Sequence, residues 1–190
     1  MQYLWTPWRM QYISGAHETA GDNTPLVAAE QSDLPVVAAN VDRPGKATCV
    51  FCDRARLPES HDRSSLILLR ASYNFVIMNL YPYNSAHVMI VPYEHTADFT
   101  SLQPEVTGEM MALARRMIRA IGDEYHPQGY NVGMNLGEAA GAGVADHIHT
   151  HIVPRWVGDT NFMPVVGATK VLPELLETTY DRLKARIGTL

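Results

Sequence analysis

Residues 147–153 read His-Ile-His-Thr-His-Ile-Val, and this alternation constrains the fold more than any other stretch of the chain. An extended strand sends residues i, i+2 and i+4 to one face. His147, His149 and His151 then stand in a row, while Ile148, Thr150 and Ile152 face the other way, toward a core. The plain alternative is a run of surface or core histidines. A purification tag would be contiguous and terminal, and this run is neither. Imidazole changes charge near physiological pH, so three rings facing one pocket point to chemistry.

The pattern around the row is regular from Ser64 onward. Short apolar runs at 65–70 and 74–79 predict two tightly joined strands. Tyr81 to Ser85 is rich in turn residues, and a third strand over 87–91 is stopped by Pro92. The period then changes: Val106, Met110, Leu113, Met117, Ile118 and Ile121 recur at helical spacing, with Pro104 placed for the helix start and Gly122 for its end. The three methionines of this helix are expected in the core, and Arg115, Arg116 and Arg119 on its solvated face. Residues 130–136 predict a fourth strand, 137–144 a small-residue loop, and the histidine strand follows. A last helix is expected from near Pro173, with Leu176, Tyr180, Leu183 and Ile187 on one side. The order predicts an α+β fold with antiparallel pairings, not a doubly wound sheet. Trp156 is expected to pack or to meet another subunit.

The segment before this body is different. Residues 1–15 are aromatic and apolar and are expected to dock onto the body or a partner subunit. Residues 14–46 lack a sustained period and are read as a long loop. The chain is thus divided into an N-terminal segment and loop, 1–46, and a domain, 47–190. At 190 residues, 46% of them apolar, one such domain with a real core is expected. The net charge of −5 argues against a duplex nucleic-acid binder, though a local pocket can still hold a nucleotide. No apolar run approaches a membrane span, and the N-terminus lacks a signal-peptide layout, so a cytoplasmic location is expected.

The two cysteines, Cys49 and Cys52, are too few for a disulfide scaffold. Their C-x-x-C spacing fits a redox pair, half a metal site, or neither. The histidine row itself allows three chemistries. It can ligate zinc, it can supply an imidazole nucleophile for phosphorus, or it can divide between the two. If the cysteines supply half of a Cys₂His₂ site, two histidines must complete it. His17, His61, His87, His95 and His126 are the candidates outside the row, and spacing does not choose among them. The loop before the row carries Gly137, Gly141 and Gly143, which let backbone N–H groups approach an anion.

Taken together, residues 147–153 resemble the H-φ-H-φ-H-φ-φ signature of the histidine triad (HIT) superfamily of nucleotide hydrolases and transferases. The resemblance spans roughly residues 49–160 and takes in Asn79, the segment 84–92, the helix after it, and Asn135-Leu136-Gly137. The stretches 4–10, 79–84 and 153–162 are most similar to bacterial diadenosine tetraphosphate phosphorylase-type members. The resemblance implies an antiparallel sheet of about five strands, a long amphipathic helix and a C-terminal helix. It implies that His149 is the nucleophile for the α-phosphorus and that His151 contacts the phosphate. It implies a structural zinc held by Cys49, Cys52, His95 and His147, ribose contact at Asn79, and His87, Asn135 and Gly143 near the phosphates. Adenine nucleotides or dinucleoside polyphosphates are the implied ligands, with phosphate or water as acceptor, and a homodimer or larger homo-oligomer is the implied assembly.

The chain departs from the pattern at three positions. Thr150 stands where an aliphatic residue is usual, and Gly143 and Val144 stand where many members carry Gln and then Ser or Thr. The missing side chains would serve the leaving group, so they bear on the substrate and not on the nucleophile. Besides a nucleotidyl enzyme acting on diadenosine tetraphosphate, the sequence is compatible with a phosphoramidate hydrolase. It is also compatible with a nucleotide-binding regulator of low turnover, and with a zinc hydrolase whose metal is held by all three row histidines.

Overall fold

The computed structural model describes residues 49–167 and 172–189, so the expectations for residues 1–46 fall outside the described residues. The described chain opens with helix α1 (Val50–Arg56) and a short α2 (Asp62–Ser65). Strands β1 (Ile67–Arg70), β2 (Asn74–Met78) and β3 (Val88–Pro92) follow. Then come the long helix α3 (Pro104–Tyr125) and β4 (Gly129–Met134). Strand β5 (Thr150–Arg155), a short α4 (Met163–Val166) and helix α5 (Leu176–Ile187) complete it. The five strands form one antiparallel sheet in the order β1-β2-β3-β5-β4. This is the expected α+β architecture.

The faces of the sheet can be assigned from register. Tyr130 on β4 lies opposite Pro154, and its hydroxyl donates to the Ile118 carbonyl of α3 at 3.0 Å. Residues directly opposite one another share a face, so α3 covers the face that carries Ile152 and Val88, which are paired. Alternation then puts His151, Val153 and Arg155 of β5 on the other face, with Gly133 and Asn131 of β4 beside them. The α3 face is fully apolar where it matters: Val106, Met110, Leu113, Met117 and Ile121 are buried. Met111 breaks the expectation for the methionines, standing 64% exposed on the outer side of the helix. Helix α5 packs against α3 and β1 through Tyr180, Leu183 and Ile187. Glu109 of α3 clasps the β1–β2 turn, accepting from the backbone N–H groups of Ser72, Tyr73 and Asn74.

Several boundaries differ from the sequence reading, two of them for a physical reason that the structure shows. Helix α3 runs through Gly122 to Tyr125 and is ended by His126 in the left-handed region, φ 47°, whose N–H donates to the Gly122 carbonyl. Gly122 serves close approach instead of termination. A Cβ there would stand 3.3 Å from the Tyr130 hydroxyl that reaches into the helix. The second difference concerns the histidine row. Strand β5 begins only at Thr150, so His151 alone of the three lies within it. Pairing with β3 ends at Ile90↔Thr150, and the Ile148 N–H turns to the Thr96 carbonyl at 2.9 Å. The apolar side of the alternation survives this change, since Ile148 and Ile152 both belong to the core. The last helix begins at Leu176 and not at Pro173.

Candidate active site and metal cluster

The C-x-x-C pair sits at the start of α1, with Cys49 as its N-cap and Cys52 in the first turn. Among the described residues no βαβ unit surrounds it, so nothing there supports the redox-pair reading. Both sulfurs face histidines brought from elsewhere in the chain. Cys49 Sγ lies 3.3 Å from His147 Nδ1, and Cys52 Sγ lies 3.4 Å from His95 Nδ1 and 3.6 Å from His147 Nδ1. The two Nδ1 atoms are 3.2 Å apart. One ligand atom from each of Cys49, Cys52, His95 and His147 falls within 4.8 Å of the others. Of the candidate histidines, His95 therefore joins the cysteines, and His61, His87 and His126 do not; His17 lies outside the described residues.

The donor set and its spacing fit a tetrahedral ion. Zinc with Zn–S of about 2.3 Å and Zn–N of about 2.0 Å has ligand–ligand edges of roughly 3.3–3.8 Å, close to the separations seen here. The His147 ring also has the outer partner that a ligating imidazole needs: its Nε2–H donates to the Pro92 carbonyl at 2.9 Å. That bond leaves Nδ1, the atom facing the cysteines, as the lone-pair nitrogen. Burial, and then the adjacent Cys49, push the Cys52 thiol up to about 11. A bound cation reverses this preference, because a coordinating thiol is deprotonated outright.

His149 lives in a different setting. It is 5% exposed, and its Nδ1–H donates to the carbonyl of His147 at 2.9 Å. Burial lowers its pKa from the ordinary 6.5, against a smaller opposing effect of that hydrogen bond. The ring is thus held neutral with its lone pair on Nε2, the state that a nucleophilic imidazole requires. Phe51 of α1 packs against both neighbours, its ring centroid 5.4 Å from that of His147 and 5.0 Å from that of His149.

His151 belongs to a hydrogen-bonded line. The Tyr83 backbone N–H donates to His87 Nδ1 at 3.0 Å, which assigns the His87 proton to Nε2. That nitrogen lies 2.9 Å from His151 Nδ1. The direction of the line makes His151 Nδ1 an acceptor and places the His151 proton on Nε2. Asn79 reaches the same place: its Nδ2 lies 3.4 Å from His87 Nδ1, and its Oδ1 accepts from the Tyr81 N–H. Tyr83 stacks on the His87 ring with centroids 4.9 Å apart.

A cleft of about 440 Å³ opens beside His151 over β4 and β5. Asn131, Gly133, Asn135 and Arg155 line it, with Tyr83, Asn84 and Asp159 as a wall. Asn135 is steadied by donating to the Gly141 carbonyl. Gly137 and Gly141 both need the left-handed backbone, with φ of 80° and 82°. Gly143 is exposed in the same loop and does not line the cleft. Trp156 lies away from it too, its indole N–H donating to the Tyr125 carbonyl at the end of α3, in keeping with a packing role. Sequence reasoning had passed over Phe51, Tyr83, Asn84, Arg155 and Asp159. For Asn84 and Asp159 the signal was present, as members of segments that carried the resemblance. Tyr83 and Arg155 lie in the same segments, but no pattern points to Tyr83, because its backbone acts and not its side chain.

Comparisons with known proteins agree with this geometry. The sequence model of the HIT domain matches residues 61–157. The chain is 35% identical to the AP-4-A phosphorylase of Mycobacterium tuberculosis, over 94% of this chain and 80% of that protein. It is 29% identical to an adenosine 5'-monophosphoramidase of Schizosaccharomyces pombe over 57% of this chain and 74% of that protein. Among solved structures, a Zn-bound histidine triad family protein from Mycobacterium smegmatis superposes with a TM-score of 0.59 at 28% identity, covering 76% of this chain and 96% of that one. With the triad rings, the five-stranded sheet and a matching domain in hand, the chain belongs to the HIT domain family.

Proposed function

We propose that the chain is a nucleotidyl-transferring phosphorylase or hydrolase of dinucleoside polyphosphates, with diadenosine tetraphosphate as its preferred substrate. The observation that carries this reading is the state of His149: buried, neutral, tethered through Nδ1–H to the His147 carbonyl and so nucleophilic at Nε2. In the proposed first step Nε2 attacks the α-phosphorus. The P–O bond to the rest of the polyphosphate breaks and ATP leaves, with AMP held on His149. His151, carrying its proton on Nε2, donates a hydrogen bond to the phosphate oxygens. In the second step inorganic phosphate attacks the same phosphorus, the P–N bond breaks, and ADP is released. With water as the acceptor the product is AMP. The kinship with the AP-4-A phosphorylase of M. tuberculosis favours phosphate.

Cys49, Cys52, His95 and His147 are assigned to a zinc ion that shapes the site and takes no part in the transfer. Its role is to fix His147, whose carbonyl orients His149. Asn79 is assigned to the ribose, and His87 and Asn135 to the phosphate surroundings. Gly143 is assigned there through its backbone N–H. The cleft beside His151 receives the part of the substrate beyond the attacked phosphorus. Among the described residues no helix is long and apolar enough to cross a membrane, and we place the protein in the cytoplasm as a homo-oligomer.

Incubation of the protein with diadenosine tetraphosphate and labelled inorganic phosphate tests the reading. Label in ADP is the expected result, while unlabelled AMP alone assigns water as acceptor. The glycine and valine at 143 and 144 favour one alternative, a nucleotide binder of low turnover, because they offer no side-chain donor to a leaving group. Tight binding without turnover across dinucleoside polyphosphates and adenosine phosphoramidates would establish that alternative and overturn the enzyme.

A further inference from the structure

The segment from Asn79 to His87 is a closed loop. Its ends meet through the Asn79 N–H, which donates to the His87 carbonyl at 3.1 Å, and the His87 N–H donates back to the Asn84 carbonyl at 3.2 Å. Ala86 takes a left-handed φ of 60° to make the turn, although it is not glycine. Bonds inside a loop fix its shape but not its position over the sheet. That position is set by the Asn84 side chain, which is 8% exposed. Both hydrogens of its amide leave the loop: Nδ2 donates to the Pro154 carbonyl at 2.9 Å and to Asp159 Oδ2 at 2.7 Å. Asp159 is itself held hard. It accepts from Arg155 Nε at 2.6 Å and Nη2 at 2.8 Å, and from the Trp156 N–H at 3.2 Å. Arg155 in turn donates to Asn131 Oδ1 on β4 at 2.8 Å.

This knot lies one residue from the amide that sets the His87 tautomer. The Tyr83 N–H to His87 Nδ1 bond lies within the loop and keeps the His87 proton on Nε2, but that Nε2 meets His151 Nδ1 only while the loop sits where Asn84 pins it on β5. We propose that Asn84 and Asp159 are positioning residues, which hold the Asn79–His87 loop on β5 so that the proton of His151 stays on the nitrogen that meets the phosphate. The inference rests on the reading of His151 as the phosphate-contacting histidine. Neither residue touches the reacting atoms. Both act through the place of the loop and then through His87. The bidentate, charge-assisted bonds to Arg155 suit this task, because they fix the direction of the Asp159 carboxylate and not only its place.

The test is nitrogen NMR on the full-length protein with ¹⁵N-labelled histidine, read beside steady-state kinetics. In the unaltered protein His151 is expected to show a protonated Nε2 and a bare, hydrogen-bonded Nδ1. Asn84→Leu keeps the size of the side chain and removes both pinning bonds. It is expected to give a mixture of His151 tautomers and to lower kcat at least tenfold with a smaller change in KM, while the His149 signals stay in place. Asp159→Asn, which keeps the shape and weakens the grip on Arg155, is expected to move the same signals in the same direction by less. It serves as the test if Asn84→Leu does not fold. A single unshifted His151 tautomer in a folded variant overturns the proposal, and so does a disturbance of His149 equal to that of His151. The tautomer is read without substrate, so a protein that turns over no dinucleoside polyphosphate would refute the proposed reaction and leave this result to stand or fall alone.

Discussion

His147 and His151 are four residues apart in sequence, yet the two ends of the row have opposite surroundings. At the His147 end the neighbours are two sulfurs and a third imidazole at 3.2–3.6 Å, all presenting lone pairs to a common point. At the His151 end the neighbour is a histidine that arrives as a hydrogen-bond donor, fed from the Tyr83 amide. Lone pairs converging on one point suit a cation, whereas a directed line of donors suits an anion. Identical side chains are thus given opposite tasks by what the rest of the chain brings to them. His149, between the two, is bonded to the backbone of one neighbour and lies against the ring of the other, with centroids 4.8 Å apart.

Substitutions along the row put this contrast at risk. The largest effect is expected at the middle. His149→Ala should lower turnover on the order of 10³-fold or more, as removal of a nucleophile does, while metal content and thermal midpoint hold. Retained turnover would show that the attacking group lies elsewhere. Next, His151→Asn should reduce turnover about 100-fold, within the usual range for a group that aids proton or charge transfer, again with the metal in place. If the metal is lost as well, the two ends are not independent. Cys49→Ser should do the reverse. Elemental analysis should show the metal gone, and the thermal midpoint should fall by about 10 °C, corresponding to roughly 3 kcal/mol for a domain of this size. Unchanged metal content would instead mean that the ion is bound by the row itself.

The smallest effect is on pH. Burial holds the His149 pKa below 6.5, so the neutral, attacking form persists to lower pH than in a free histidine. The acid limb of kcat/KM is expected below pH 6.5. The sign for stability follows from the same depression. The unfolded chain takes up the proton first, so the stabilisation is fully present above pH 6.5 and is lost as pH falls through the lower folded value. An acid limb above pH 6.5 in the pH–rate profile would contradict the burial of the nucleophile.

The sheet, the long helix and the row were legible in the sequence because each rests on periodicity, which survives without knowledge of tertiary partners. The cysteines were legible as half a site, and the resemblance named His95 as a partner, whose ligand atom lies within 4.8 Å of those of the cysteines. What escaped was contact made by backbone or by a single close approach. Gly122 looks like a helix end until the Tyr130 hydroxyl is found against it. The end of pairing at Thr150 depends on Ile148 turning to Thr96, and no residue pattern announces that. The tautomer of His87 is set by an amide whose side chain is irrelevant to the bond. Phe51 reads as one more apolar residue beside a cysteine, and only the fold lays it against two of the row's rings.

The cysteine–histidine cluster also has a consequence for the chain as a polymer. Cys49 and His147 are 98 residues apart in sequence, and every strand from β1 to β4, with the whole of α3, lies between them. An ion bound there closes a loop around most of the sheet, much as a cross-link does. Cys49 and Cys52 precede residue 61, where the match to the HIT domain begins, while His95 and His147 lie within it. An ion held by these four ligands would therefore rivet the shared domain to a segment outside it, and because the ligands converge only in the folded chain, its binding energy would be folding energy.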